Sequence, residues 1–143
     1  MIDCLILGDS IAVGTHMFKP ECVTFATGGL NTWQWNKKYI NSAPAPQFDA
    51  KTVIISLGTN DHQYIHTEAE LRKMRERIVG QRVYWILPKK NLPAGGVDIH
   101  AVQNTVYKIA REHGDTVLPI GSTQSDGIHP SWAGYKELAE KTK

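Results

Sequence analysis

Thr52–Asp61 reads TVIISLGTND. Val53, Ile54 and Ile55 stand side by side, and Leu57 follows after one serine. A strand with one wet face would alternate apolar and polar residues, so a run like this belongs to a strand covered on both faces. It closes on Gly58, Asn60 and Asp61, residue types that end a strand in a turn.

Four further runs repeat the pattern: CLILG (Cys4–Gly8), CVTFA (Cys22–Ala26), RVYWILP (Arg82–Pro88) and TVLPI (Thr116–Ile120). Helical periodicity fills the gaps between them. TEAELRKMRERIVG puts Thr67 and Glu70 in capping-box positions, carries Leu71, Met74 and Ile78 on one face and stops at Gly80. Between Asp98 and His113, the residues Ile99, Val102, Val106, Ile109 and Ala110 form one stripe, which ends at Gly114. The last helix shows Trp132, Tyr135, Leu138 and Ala139, and weaker helical segments follow Ser10 and Asn31. Strands alternating with helices imply parallel pairing through right-handed crossovers. The expected fold is therefore α/β, a three-layer α/β/α sandwich on a five-stranded parallel sheet, with residues 1–143 forming one domain.

Composition narrows the function. Lys and Arg outnumber Asp and Glu by only two (16 against 14). The basic residues are scattered, with RKMRER (Arg72–Arg77) reading as a solvated helix face, so nucleic acid is not an expected partner. The two cysteines, Cys4 and Cys22, lack metal-binding spacing and read as buried thiols. The apolar run in MIDCLILGDS is too short for a signal peptide, and no stretch approaches the ~18 residues of a membrane span. The expected setting is cytoplasmic. Repeats, linkers and low-complexity segments are not seen.

In open α/β sheets chemistry sits beyond the carboxyl ends of the strands. The first strand runs into GDSIAVG, which puts Ser10 on a strand-to-helix turn. Ala12 rather than glycine stands two residues later, so this is not a G-x-S-x-G elbow. The second strand runs into ATGGLNTW, where Gly28 and Gly29 leave backbone N–H groups unshielded for an anion. The third ends at Asn60, an uncharged N–H donor. The fourth leads into LPKKNLPAGGVD, a rim loop, and the fifth into SDGIHPSWAGY (Ser125–Tyr135). There Asp126 stands three residues before His129 and can hold the imidazole Nδ1, leaving Nε2 to accept a proton. A nucleophile, oxyanion donors and an oriented base are together the parts list for acyl transfer through a serine.

These blocks, GDS, a glycine after the second strand, GTND and DGIHP, resemble in order the four blocks of the SGNH (GDSL-type) hydrolases, and HPSWAGYKELA resembles the family's last-helix opening. The resemblance anchors the chain from Gly8 to Tyr135. It implies a flavodoxin-like sandwich and assigns Ser10 as nucleophile, His129 as general base and then acid, and Asp126 as its orienting carboxylate. The implied oxyanion hole combines the Ser10 N–H, the Asn60 amide and the N–H of Gly29, or of Gly28 after a one-residue slip. It also implies activity without a metal or organic cofactor. Two features depart from the family's pattern: the chain is short, which reduces the rim loops around the substrate, and the first block continues as GDSI.

Other residues are not assigned to the chemistry. His62 and His66, beside Asp61, lack a third ligand at a recognised spacing, so no metal is expected. His16, His100 and His113 read as surface or helix-end residues. Tyr64 reads as a pocket-rim residue and Trp85 as core, while Trp33, Trp35 and Trp132 suit either pocket lining or packing. The expected activity is hydrolysis of short-chain acyl esters, carbohydrate O-acetyl groups included, on a small-molecule or carbohydrate substrate. A lysophospholipase or thioesterase of the same family is one alternative. The other is a non-enzymatic module that holds a small ligand on the same fold, which would have no need of the Asp126–His129 pair.

Overall fold

The computed structural model describes residues 2–41, 47–90 and 98–143. Five strands, β1 (Ile2–Gly8), β2 (Val23–Ala26), β3 (Phe48–Ser56), β4 (Ile78–Ile86) and β5 (Thr116–Leu118), pair in parallel in the order β2-β1-β3-β4-β5. The helices are α1 (Ser10–Phe18), α2 (Thr32–Tyr39), α3 (Thr67–Arg75), α4 (Ile99–His113) and α5 (Trp132–Lys141). This is the flavodoxin-like order, which reverses direction between β1 and β3 and opens a crevice at their carboxyl ends.

The non-alternating runs explain the layers. Leu5, Leu7, Val53, Ile55, Val83 and Trp85 point to one face, where they meet Trp35 of α2, Leu71 and Met74 of α3 and Val106 and Ile109 of α4. Cys4, Ile6, Ile54 and Ile86 point to the other, under Ile11 of α1 and Tyr135 and Leu138 of α5. Each fully buried Ile or Leu contributes about 2 kcal/mol by leaving water. A polar residue inside the β3 run would therefore expose or strand part of both layers.

The strands extend beyond the apolar runs at their solvent-facing starts. β3 begins at Phe48 and β4 at Ile78, and the pairs Phe48–Ile78 and Ala50–Gly80 continue the ladder. This corrects the helix expected to run to Gly80. Met74 and Ile78 fit helical spacing, but strand pairing with Phe48 claims Ile78, and α3 stops at Arg75. The expected capping box is absent too. His66 is the N-cap without a side-chain bond, and Thr67 Oγ1 donates instead to Asp61. Asp98 caps α4 and Gly114 ends it in the left-handed conformation, as the stripe between them implies. On α5, Tyr135 and Leu138 are buried, while Trp132 is 70% exposed and makes a T-shaped contact with Phe18.

Cys4 and Cys22 are not free thiols. Leu5 pairs with Val23 across β1 and β2, so the residues just before them fall opposite one another, with Cα atoms 4.7 Å apart, and the two sulfurs are bonded. Spacing along the chain carries no trace of this neighbour relation.

Candidate active site

β1 ends on a glycine for a steric reason. Gly8 has φ +145°, and a Cβ there would fall 1.9 Å from the Ser56 carbonyl oxygen on β3. The chain then turns, with Asp9 N–H donating to Ser56 O and Asp9 capping α1 through Ile11 N–H. Because Asp9 takes the capping role, the Ser10 hydroxyl is left free.

That hydroxyl lies 2.8 Å from His129 Nε2. On the far side of the ring, His129 Nδ1 is 2.7 Å from Asp126 Oδ2. The other carboxylate oxygen of Asp126 accepts from the backbone N–H groups of Ile128 and His129 at 2.9 and 3.0 Å. The Ile128 N–H, followed by the His129 side chain, holds the Asp126 carboxyl down at about 2. It is a carboxylate at any ordinary pH, so a neutral imidazole placed against it would carry its proton on Nδ1 and present Nε2 as an acceptor.

The loop that carries the pair is closed on itself. Gln124 N–H donates to His129 O, Ser131 N–H to Ser122 O, and Ser131 then caps α5 through Gly134 N–H. The three-residue spacing of Asp126 and His129 thus belongs to a short, internally bonded turn ahead of a helix. The side chains of His129 and Asp126 are 34% and 39% exposed, so the pair is open to solvent.

Gly28 and Gly29 lie beside this constellation. A Cβ on Gly28 would sit 3.7 Å from Ser10 Cβ, in ordinary contact, whereas Gly29 takes φ +81° with open space on its Cβ side. Gly28 is thus in contact with Ser10, and Gly29 follows it in the same turn. Asn60 Nδ2 donates to Leu30 O at 3.1 Å, one residue beyond Gly29. That bond uses one of its two N–H groups and orients the other.

Two carboxyl groups that sequence reasoning left unassigned lie buried beneath these residues. Asp61 is 1% exposed and accepts from Thr32 N–H (2.8 Å), Thr32 Oγ1 (2.8 Å) and Thr67 Oγ1 (2.6 Å). It ties the start of α2, the start of α3 and the β3 turn into one unit. Burial pushes its pKa up, against the pull of these bonds. Asp9, fully buried, is pushed by burial from 3.8 to about 7, with the Ile11 N–H and Ser56 hydroxyl pulling the other way. An acid directly before a helix is an N-cap signal, which could have found Asp9. No local signal could have found the partners of Asp61, which lie 29 residues before it and six after. Lys90 reaches the same region half-buried. Burial pushes its ammonium down, while the charges of Asp61 and Asp9 oppose that shift.

Of the remaining sequence candidates, Trp35 and Trp85 are core, Trp33 is 48% exposed and Tyr64 is 78% exposed. His62 Nδ1 accepts from Tyr64 N–H within its own turn. Among the described residues, no group of three His, Cys, Asp or Glu side chains comes together as metal ligands would. Most of the rim loop after β4 (residues 91–97) lies outside the described residues.

The model of the GDSL-like Lipase/Acylhydrolase family matches residues 6–137. Among solved structures, a lipolytic G-D-S-L protein of Veillonella parvula is 17% identical with a TM-score of 0.70, covering 99% of this chain and 96% of that one. A GDSL-like lipase of Bacteroides thetaiotaomicron gives 16% identity and a TM-score of 0.67, covering 99% and 89%. A point variant of a Geobacillus acetyl-xylooligosaccharide esterase gives 16% and 0.57, covering 96% and 90%. At such identities these likenesses establish the fold. No functionally curated protein is similar in sequence.

Proposed function

The chain belongs to the GDSL-like lipase/acylhydrolase family, an ester-hydrolysing family, and from that premise we propose that it is a serine esterase of short acyl groups, carbohydrate O-acetyl esters foremost. The observation that carries this reading is the continuous relay from Ser10 Oγ to His129 Nε2 at 2.8 Å and from His129 Nδ1 to Asp126 at 2.7 Å.

The proposed cycle follows from that geometry. His129 Nε2 takes the Ser10 proton as Oγ bonds to the ester carbonyl carbon, and the carbonyl electron pair moves onto oxygen. The oxyanion is held by the N–H groups of Ser10 and Gly29 and by the Asn60 amide, all fixed before reaction, so no reorganisation cost falls on the transition state. The carbon–alkoxide bond breaks as His129 Nε2 returns its proton to the leaving oxygen. A water, deprotonated by His129, then attacks the acyl-enzyme, releases the carboxylic acid and restores Ser10. Asp126 keeps its charge throughout and stabilises the imidazolium.

Exposed Tyr64, in the turn after β3, supports a carbohydrate leaving group, since an open aromatic face packs against a sugar ring, whereas one face of Trp33 is taken by Lys37 Nζ, 5.0 Å from the ring centroid. Likeness in fold to an acetyl-xylooligosaccharide esterase points the same way. The Cys4–Cys22 bond supports work in an oxidising setting rather than the cytoplasm. No helix among the described residues is long and apolar enough to cross a membrane.

The test is hydrolysis of nitrophenyl esters of increasing chain length, with acetylated xylo-oligosaccharide as a parallel substrate. Turnover highest for acetate and abolished by Ser10→Ala is the expected result. A rate that climbs toward long acyl chains would replace this reading with a lysophospholipase or thioesterase.

A further inference from the structure

The mechanism above leaves one buried titratable group beside the nucleophile without a task. We propose that Asp9 is a positioning residue that works as an uncharged carboxylic acid: while it keeps its proton, the positive end of α1 is free to hold the oxyanion, and when it loses that proton the site slows. The proposal deepens the esterase reading and rests on it.

The geometry is one-sided. Asp9 is 0% exposed, and its Oδ1 takes the bonds from Ile11 N–H (3.0 Å) and Ser56 Oγ (3.2 Å). Oδ2 is equally buried and has no hydrogen-bond partner among the described residues. An ionised carboxylate spreads its charge over both oxygens and needs both of them partnered when buried. A carboxylic acid fits better: its carbonyl oxygen is Oδ1, where both donors point, and an unpartnered neutral hydroxyl at Oδ2 costs far less to bury than half of an unpartnered charge. Burial agrees with this, pushing the group up to about 7 against the pull of the Ile11 N–H, the Ser56 hydroxyl and the weaker Ala12 and Asp9 N–H groups.

Position then turns charge state into rate. Asp9 is the N-cap of α1, so an ionised Asp9 would lie against the positive end of the helix and oppose a second anion there. The oxyanion forms against the Ser10 N–H, on the very peptide that joins Ser10 to Asp9. The imidazolium is one hydrogen bond further out, beyond Ser10 Oγ. The negative charge of Asp9 therefore costs the oxyanion more than it helps His129. Other titratable groups face it from neighbouring elements. Lys90, after β4, favours ionisation, and Tyr135 of α5 is a neutral phenol whose own pKa is pushed up. Past the end of β3, Asp61 is itself a buried acid, and β3 presents only the neutral hydroxyl of Ser56. At an effective dielectric of about 20, the difference between a unit charge a few ångströms from the oxyanion and roughly two ångströms farther from the imidazolium slows acylation by on the order of tenfold.

The test joins infrared spectroscopy to a pH profile, on wild type, Asp9→Asn and Ser56→Ala. The wild-type minus Asp9→Asn spectrum should show a carboxylic-acid C=O band at pH 5.5 that vanishes with a midpoint near 7. For nitrophenyl acetate, wild-type kcat/KM should fall about tenfold on the alkaline side with the same midpoint, and Asp9→Asn should lack that fall. Ser56→Ala removes a bond that favours the charged form, so it should move both midpoints to higher pH. Absence of the acid band at pH 5.5, or an alkaline fall unchanged in Asp9→Asn, overturns the proposal. Failure of the esterase reading looks different: wild type hydrolyses nothing at any pH, while the infrared arm still decides the charge of Asp9.

Discussion

Asn60→Ala separates the oxyanion assignment from a merely structural one. Among the described residues the Asn60 side chain makes one bond, from Nδ2 to Leu30 O at 3.1 Å, and it has a second N–H to offer a substrate. Losing one preorganised oxyanion donor costs on the order of 10²–10³ in kcat, or about 3–4 kcal/mol of transition-state stabilisation. Losing the Leu30 bond costs only about 1 kcal/mol of fold stability, a fall in Tm of roughly 4 °C. The two effects therefore differ in size and in where they are read. Steady-state kinetics on nitrophenyl acetate should show kcat lowered at least about a hundredfold with KM nearly unchanged. Calorimetry should show a cooperative transition only a few degrees lower. Asn60→Asp keeps the shape but replaces the donor with a negative charge, and should be slower still. If Asn60→Ala keeps kcat within about threefold of wild type, or loses activity wholly through KM, then the amide does not hold the oxyanion and the reasoning fails.

Asp126→Asn should keep the loop folded but turn the imidazole to the wrong tautomer, lowering kcat by on the order of 10⁴. A fall of less than tenfold in stopped assays would remove Asp126 from the relay. Cys4→Ser/Cys22→Ser opens a link between residues 18 apart, and on the chain-entropy model should cost about 3 kcal/mol, read as a lower urea midpoint. An unchanged midpoint would mean that the bond adds nothing to the fold. Asp9 should also mark stability. Its folded pKa of about 7 lies above the ordinary 3.8, so stability is full below pH about 4 and declines as pH rises to about 7. The loss is up to about 4 kcal/mol and should be absent in Asp9→Asn when urea midpoints are followed across that range.

The sheet was legible because its evidence is local. Val53, Ile54 and Ile55 must bury on two faces wherever the strand ends up, and no distant contact changes that. The end of α3 was not legible, because Ile78 satisfies both a helical stripe with Met74 and a strand pair with Phe48, and only the assembled sheet decides. Likewise the cysteines become neighbours only once β1 and β2 align. In the site, Asp126 and His129 are read from a three-residue turn. Ser10 lies 119 residues from His129, and they were linked through the rule that chemistry gathers at strand ends. Asp61 was beyond reach because its work consists of bonds to Thr32 and Thr67, each unremarkable alone.

The most direct test of the central claim is the intact mass of the protein after exposure to a fluorophosphonate, compared with Ser10→Ala. One phosphonyl adduct is expected on wild type, located at Ser10, and none on the variant. A folded wild type that stays unmodified, or an adduct that persists in Ser10→Ala, would mean that the hydroxyl beside His129 is not an activated nucleophile.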